Sequence, residues 1–437
     1  MMTSKTIYID TTTAAPELRF PEFHDDWQVK TLGEIAEIKN GDRSEKYPKP
    51  NEIQKQGIPF INAGHIVNGE IDFLNMDYIS TNKYDSMGGA KLQKDDILFC
   101  LRGSLGKNAM VSFEKGALAS SLCVIRPKEI NSFYLFLLVN STLFSDFISK
   151  ENNGSSQPNL SATGLLKIQI PFPTLAEQRK IALCLSSLDN LIKAVGNKIE
   201  LLKQHKRGLM QKMFPSGDGM ANGTNNGTPN GTSNGMDNGT SNGRDAINRV
   251  STTATTTANA VPELRFPEFS EDWQMKTLGE IAEIFSGKNT KRTNNSKYPV
   301  YGSTGLIGYS NSYEYDFDAI LIARVGANAG LINRVGGLYD VSDNTLIVKI
   351  LNGDLNYYFY LLQKLHLNKF VFGSGQPLVT AGFLKKIKIP FPTLAEQRKI
   401  AACLSSLDAE IQKYEQKLQM LEQHKKGLMQ KMFVRRL

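Results

Sequence analysis

Basic side chains set beside glycine, serine, asparagine and aromatic residues occur in two separate stretches of this 437-residue chain. The first holds Arg43, Lys46 and Tyr47, then Arg102-Gly-Ser104 and Lys107-Asn. The second holds Lys288, Lys291, Arg292 and Lys297 with Tyr298, the loop Tyr301-Gly-Ser303-Thr304-Gly-Leu306, and Arg324 with Asn328. Such residues suit an anionic polymer. Arg and Lys neutralise phosphates, and Arg, Asn, Gln, Ser and Thr can read base edges in a major groove. Glycine lets the backbone approach a phosphate closely. Each residue alone is ordinary solvated surface; the arrangement counts because it comes twice. Gln157 and Gln376 recur in one Gly-Ser-x-Gln-Pro turn, where a contact and a purely structural turn are equally good readings. The net charge of +8 and pI near 9.0 favour an anionic partner but do not identify one.

Catalytic chemistry is harder to find. Gly103-Ser-Leu-Gly-Lys107 is too short for a phosphate-cradling P-loop. No Asn/Asp-Pro-Pro-aromatic tetrapeptide of the amino-methyltransferase kind is present, and no convincing glycine-rich cofactor motif follows a strand. The five histidines are scattered, and His205 and His424 stand in matching Gln-His-Lys contexts that read as solvated or interface positions. The four cysteines show neither metal-ligand spacing nor a CxxC pair. Asp95-Asp96 reads as a turn that opens a strand. The expectation is a binding protein, with no metal and no cofactor of its own.

What positions the basic residues is a frame that occurs twice. Ile170-Pro-Phe-Pro-Thr-Leu-Ala-Glu-Gln-Arg-Lys-Ile-Ala182 returns unchanged at 389–401, and each copy runs on to Gly-Leu-Met-Gln-Lys-Met-Phe, at 208–214 and 427–433. The prolines hold the approach extended. Thr174 with Glu177, and Thr393 with Glu396, have capping-box spacing. Apolar residues then step by four and three: Ile181, Leu185, Leu188, Ile192, Val195, Ile199, Leu202, and in the second copy Ile400, Leu404, Leu407, Ile411, Tyr414, Leu418, Leu421. Sustained 3.5-residue spacing predicts coiled-coil seams, each helix roughly 55–60 Å long. One lysine interrupts each seam, Lys206 and Lys425, costing stability and fixing register. The two seams pair most simply with each other, and antiparallel pairing would set one globular head at each end. The other reading pairs them with a separate protein.

A second repeated segment opens each head: Pro16-Glu-Leu-Arg-Phe-Pro-Glu-Phe23, Trp27 and Lys30-Thr-Leu-Gly-Glu-Ile-Ala-Glu-Ile38, again at 262–269, 273 and 276–284. Leu32, Ile35 and Ile38 are expected on one face of a short helix. Between frames, strand-like runs at 58–61, 71–74, 96–101 and 122–125 precede a helical run at 133–147 and a last strand at 165–170. The expected plan is a Thr-rich disordered tail (1–15), an α+β head (16–173), a long helix (174–214), a low-complexity linker (215–261), a second head (262–392) and a second long helix (393–437). The linker carries Asn-Gly-Thr at Asn222, Asn226, Asn230 and Asn238. The frames are nearly identical and the inserts are not, as if the frames hold and the inserts choose. No apolar run approaches a membrane span and the start lacks a signal segment, so a cytoplasmic location is expected.

Leu-Ala-Glu-Gln-Arg-Lys-Ile-Ala before a long helix, repeated between two dissimilar heads, resembles the specificity subunit of type I restriction–modification enzymes. Gly57-Ile-Pro-Phe-Ile-Asn62 and Asp96-Ile-Leu-Phe99 before Arg102-Gly-Ser strengthen the likeness, which covers nearly the whole chain apart from tail and linker. The resemblance implies two α+β target-recognition domains at opposite ends of an intramolecular antiparallel two-helix coiled coil, with a pseudo-two-fold axis. Each head would read one half of a bipartite, asymmetric double-stranded DNA target, and the helices would set the spacer. Glu177, Arg179, Leu185, Leu188, Ile192, Ile199 and Leu202, with Glu396, Arg398, Leu404, Leu407, Ile411, Leu418 and Leu421, would form the coil and dock partner subunits. Those partners would be two modification subunits, using S-adenosylmethionine, and restriction motor-nuclease subunits, using ATP and Mg. The competing expectation is a two-headed coiled-coil scaffold or adaptor without DNA specificity.

Overall fold

The computed structural model describes residues 15–42, 44–151, 160–215, 261–288, 292, 296–370 and 378–433. The expected tail and linker lie almost wholly outside these residues, as do Arg43, Gln157, Lys291 and Gln376. The chain divides into two compact units, residues 1–196 with 416–437, and residues 197–415. Each takes one head and a stretch of both long helices.

In the first unit the chain enters as a strand, Gln28–Thr31, that pairs antiparallel with Gln169–Phe172, just before the long helix Leu175–Met213. One helical turn follows, Leu32–Ile35, held because Glu34 accepts the Thr31 amide and hydroxyl. The expected longer helix is absent: Ile38 belongs to the strand Ala36–Asn40, opposite Ile125. That strand starts a four-stranded antiparallel sheet, continuing through Leu122–Pro127, Ile97–Cys100 and Asn108–Met110. The central strands are apolar on both faces because successive side chains alternate between two covered faces. Ile97, Phe99, Cys123 and Ile125 pack toward the helix Ser132–Val139, while Leu98, Cys100, Leu122 and Val124 pack toward a second sheet. This second sheet is mixed, ordered Asp77–Ile79, Ile58–Ile61, Gly116–Leu118, Lys91–Leu92.

Three sequence expectations give way here. The run 71–74 ends as strand at Ile71, because Asp72 closes a turn on the Leu74 amide. The helical run 133–147 breaks at Asn140 into Ser132–Val139 and Thr142–Glu151, which meet at 51°. Asn140 turns its amide to Asn108, and Ser141 bonds back to the Leu138 carbonyl, so the helix cannot run on. The expected strand at 165–170 begins instead as a short helix, Ala162–Leu165, capped by Ser161.

The second unit repeats the plan in shorter form. Gln274–Thr277 pairs with Lys388–Phe391, followed by the turn Leu278–Ile281 and the sheet Ala282–Ser286, Thr345–Ile350, Ala319–Ala323, Ile332–Val335. A three-stranded sheet, Gly305–Ser310, Tyr298–Gly302, Asp340–Val341, covers its outer face. The helix Leu355–Leu365 and the second long helix, Leu394–Met432, cover the other.

Both long helices are continuous over 39 residues. In the second unit Lys203 pairs with Glu415 and Lys206 with Asp408, so the stretches run antiparallel. In the first, Asp189 pairs with Lys425 while Leu185 shares a core with Met432 and Phe433, again antiparallel. The seam residues Ile181, Leu185, Val195, Ile199, Leu202, Ile400, Leu404 and Ile411 are buried, as the 3.5-residue spacing required. Among the described residues no single helix is long and apolar enough to cross a membrane.

Candidate nucleic-acid interface

Each head is fastened to the helix that follows it by a buried carboxylate. Glu177 receives Arg19 Nε at 2.7 Å and Nη2 at 2.8 Å, and the Trp27 indole N–H at 3.1 Å. Glu396 receives Arg265 at 2.7 and 2.9 Å and Trp273 at 3.0 Å. Both carboxylates have 1% of their side chain exposed. This corrects the docking role expected for Glu177 and Glu396, because a carboxylate buried inside its own unit presents nothing to a partner. It also corrects the capping box. Thr174 and Thr393 accept the Glu amides at 3.4 Å, but the carboxylates turn to the arginine instead of reaching back. Arg179 and Arg398 are exposed. The neighbouring Gln178 accepts the Asn131 amide and donates to the Pro173 carbonyl; Gln397 does the same with Asp354 and Pro392. Arg19, Trp27 and Gln178 were missed as a set by sequence reasoning. Their signal was the recurrence of Arg, Trp and Glu-Gln in both frames.

With the heads so held, the basic loops have fixed mounts. In the first head the turn after Gly116–Leu118 is the hub. Ala119 donates to the Ile61 carbonyl, Leu122 accepts from Gly41, and Ser121 accepts from Leu101. Three segments therefore meet at residues 119–122: the one leading to Lys46 and Tyr47, the end of Ile58–Ile61, and the loop carrying Arg102. In the second head residues 341–345 play the same part. Val341 accepts from Lys288, Thr345 from Gly287, Asn344 from Arg324, and Ser342 donates to Tyr301. Lys288, the Tyr301 hairpin and Arg324 are gathered at one end of the strands. Gly41 and Gly287 permit this. A Cβ on Gly41 would lie 2.3 Å from the Ala119 carbonyl oxygen, and one on Gly287 2.3 Å from that of Val341.

Individual candidates then sort themselves. Arg102 and Ser104 are exposed on the hairpin loop after Ile97–Cys100, where Gly103 and Gly106 take φ of +76°. Arg324, half-exposed, and Asn328, exposed, occupy the matching loop after Ala319–Ala323. Lys46 is exposed, but Tyr47 packs edge-on to Phe60 at 5.5 Å, and burial pushes its phenol pKa up. Lys107 donates to the Ala63 carbonyl at 2.8 Å and braces its loop, so its amine is committed inside the head. Lys288 forms an ion pair with Glu314. Arg292 lies over Gly308 and reaches the Ile307 carbonyl, Lys297 sits 5.4 Å from the Tyr298 ring, and Ser303-Thr304 form the turn between Tyr298–Gly302 and Gly305–Ser310. Arg292, Lys297, Ser303 and Thr304 thus share one hairpin.

Asp96 is no simple turn residue. It is buried and forks Arg126, with both contacts at 2.8 Å, while Asp95 alone takes the turn conformation at φ +69°. Among the described residues no group of three or more His, Cys, Asp or Glu side chains could hold a metal ion.

Two α+β modules of one plan, each clamped to paired helices and each gathering basic loops around one turn, define a two-module recognition protein. The chain belongs to the family described as type I restriction modification DNA specificity domain, whose model matches residues 24–204 and 270–423. Among relatives, the MjaVIII specificity subunit of Methanocaldococcus jannaschii is 25% identical over 449 residues, spanning 94% of this chain and 92% of that protein. The EcoprrI specificity subunit of Escherichia coli is 29% identical over 153 residues, 33% of this chain and 38% of that protein. In fold the chain is similar to the type I restriction-modification S subunit of M. genitalium, with a TM-score of 0.60 at 17% identity over 96% of this chain and 99% of that one. A chain from a study of type I R-M complex assembly and conformational transition gives 0.52 at 17% identity over 93% and 97%. The protein is a DNA specificity subunit of a type I restriction–modification system.

Proposed function

We propose that each head reads one half of a bipartite, asymmetric DNA target, with the loops of Arg102 and Arg324 as principal contacts. The observation that carries this is the shared hub: in both heads one turn gathers the basic segments at one end of the strands. The paired helices set the number of unread base pairs between the halves. They also dock two modification subunits through exposed positions such as Arg179 and Arg398, and restriction subunits join that complex. The chain itself is non-catalytic and binds no cofactor. S-adenosylmethionine serves the modification subunits, and ATP with Mg serves the restriction subunits.

Expression with its modification subunit in a host lacking adenine methylation, followed by methylome sequencing, tests this. A two-part motif with a fixed gap, absent when this chain is omitted, is the expected result. A stable complex that yields no motif would favour the scaffold reading. Arg102→Ala and Arg324→Ala are each expected to cost about 1–3 kcal/mol at one half-site and relax only that half, whereas losing a phosphate-contacting lysine weakens all sequences alike. If Arg324→Ala altered neither half, that loop would not be a contact.

A further inference from the structure

The two heads are built to one plan but fastened to the paired helices differently. In the second unit, the helix Leu355–Leu365 turns Tyr360 and Lys364, four residues apart and so on one face, toward the long helices. The Tyr360 hydroxyl donates to Asp408 Oδ2 at 2.6 Å and lies 3.2 Å from Ser405 Oγ. Asp408 Oδ1 holds Lys206 at 2.6 Å, and the Lys206 amine sits 4.8 Å from the Tyr360 ring. One carboxylate therefore joins the polar position of the seam, the second long helix and the head. Lys364, a turn further on, donates to the carbonyls of Gln211, Phe214 and Pro215, groups that a helix end leaves without intrahelical partners.

The first unit has the same frame, but different side chains stand at the two matching positions. Asn131 and Asp354 cap corresponding helices, and Tyr134 and Tyr357 donate to corresponding proline carbonyls. In that alignment Leu137 stands where the second head has Tyr360, and Ser141 where it has Lys364. Leu137 is packed in the apolar core, and Ser141 bonds back to its own helix at Leu138. Asp189 and Lys425 still pair, at 2.5 Å, but the residue matching Tyr360 has no hydroxyl to offer them.

We propose that Tyr360 and Lys364 are positioning residues for the second half-site: they bolt the second recognition domain to both long helices and couple its orientation to their register. The first domain has no counterpart of that side-chain pair; it is seated by apolar packing, its Glu177 clamp, the Glu70–Lys193 ion pair and the contacts of Glu17 and Leu18 with Lys431. Apolar contacts tolerate small rotations, whereas a charge-assisted hydrogen bond is stronger and weakens steeply as its angle departs from linear. Burial pushes the Tyr360 pKa up to about 12, so the phenol stays protonated and able to donate to Asp408.

This inference rests on the bipartite reading proposed above, and one methylome experiment separates the two. With the same co-expressed complex, Tyr360→Phe and Lys364→Met are each expected to cut methylation of the full target about tenfold, the scale of a lost charge-assisted hydrogen bond. Methylation should spread to sites with an altered second half or a changed gap, while the first half is read as sharply as before. Lys364→Arg, which keeps the donors, should restore the wild-type pattern. Tyr360→Phe removes a single oxygen, so it stays informative if the lysine variant folds poorly. A second half-site and gap read as sharply by Tyr360→Phe and Lys364→Met as by wild type would overturn the proposal. Equal blurring of both halves would also overturn it, by pointing to general loss of structure. A wild-type complex with no bipartite motif would sink the underlying functional reading instead.

Discussion

Replacing Glu177 by alanine is expected to destabilise the first unit by about 3–5 kcal/mol, the usual result of removing one partner from a buried ion pair. The loss would exceed that of a surface salt bridge for a structural reason. Glu177 is the common acceptor for Arg19 and the Trp27 indole, and its removal leaves a guanidinium and an N–H facing a hole. The same carboxylate ties the segment entering the head to the first turn of the long helix, so two elements come loose together. For a unit of this size the shift in Tm is on the order of 10 °C. Hydrogen exchange followed by mass spectrometry would locate it. Faster exchange is expected in Gln28–Thr31, Gln169–Phe172 and the early turns of the first long helix, with the second head unchanged. Glu396→Ala should give the mirror result around Gln274–Thr277. Uniform change across both heads, or a loss below about 1 kcal/mol as for an exposed pair, would refute the clamp.

Gly41→Ala and Gly287→Ala should be nearly as damaging, and here the damage falls on recognition. Neither glycine is needed for a left-handed backbone, because neither has a positive φ. Space is the constraint. At Gly41 the new methyl would stand 2.3 Å from the Ala119 oxygen, and at Gly287 it would meet Val341 and Ser342 oxygens at 2.3 and 2.4 Å. Backbone atoms cannot swing aside as a side chain would, so the hub turn must move. Overpacking of this kind costs about 1–3 kcal/mol. The turn also carries the hydrogen bonds that set the loops of Arg102 and Arg324. Each variant should therefore lose the reading of its own half-site while the chain remains folded. Thermal unfolding paired with the methylome would decide the matter. A Gly287→Ala protein with unchanged Tm and an intact two-part motif would show that the hub does not position the contacts.

Much of this protein was legible before any coordinates. The duplicated frames, the long helices, their seams and their single lysines follow from spacings of three and four residues, and such spacings are read directly along the chain. The core strands were legible too, since 58–61 and 96–101 are short apolar runs between turn residues. The family likeness rested on the same frames. Local rules failed where a residue had a local option and a distant one. Glu177 had capping spacing to Thr174, yet its carboxylate went to Arg19, 158 positions earlier. Lys107 read as an open cation and became a brace. Asp96 read as a turn and became half of a buried pair with Arg126. The helical run at 133–147 could not reveal that Asn140 would prefer Asn108 to a further turn. Spacing reports which residues share a face of one element. It does not report which elements the fold brings against that face. The tertiary structure alone decided that one turn in each head would gather the basic loops, and that Tyr360 and Lys364 of the second head would reach both helices where Leu137 and Ser141 of the first do not. Those arrangements are sums of contacts between residues far apart in sequence, and they exist only once the chain's path has closed.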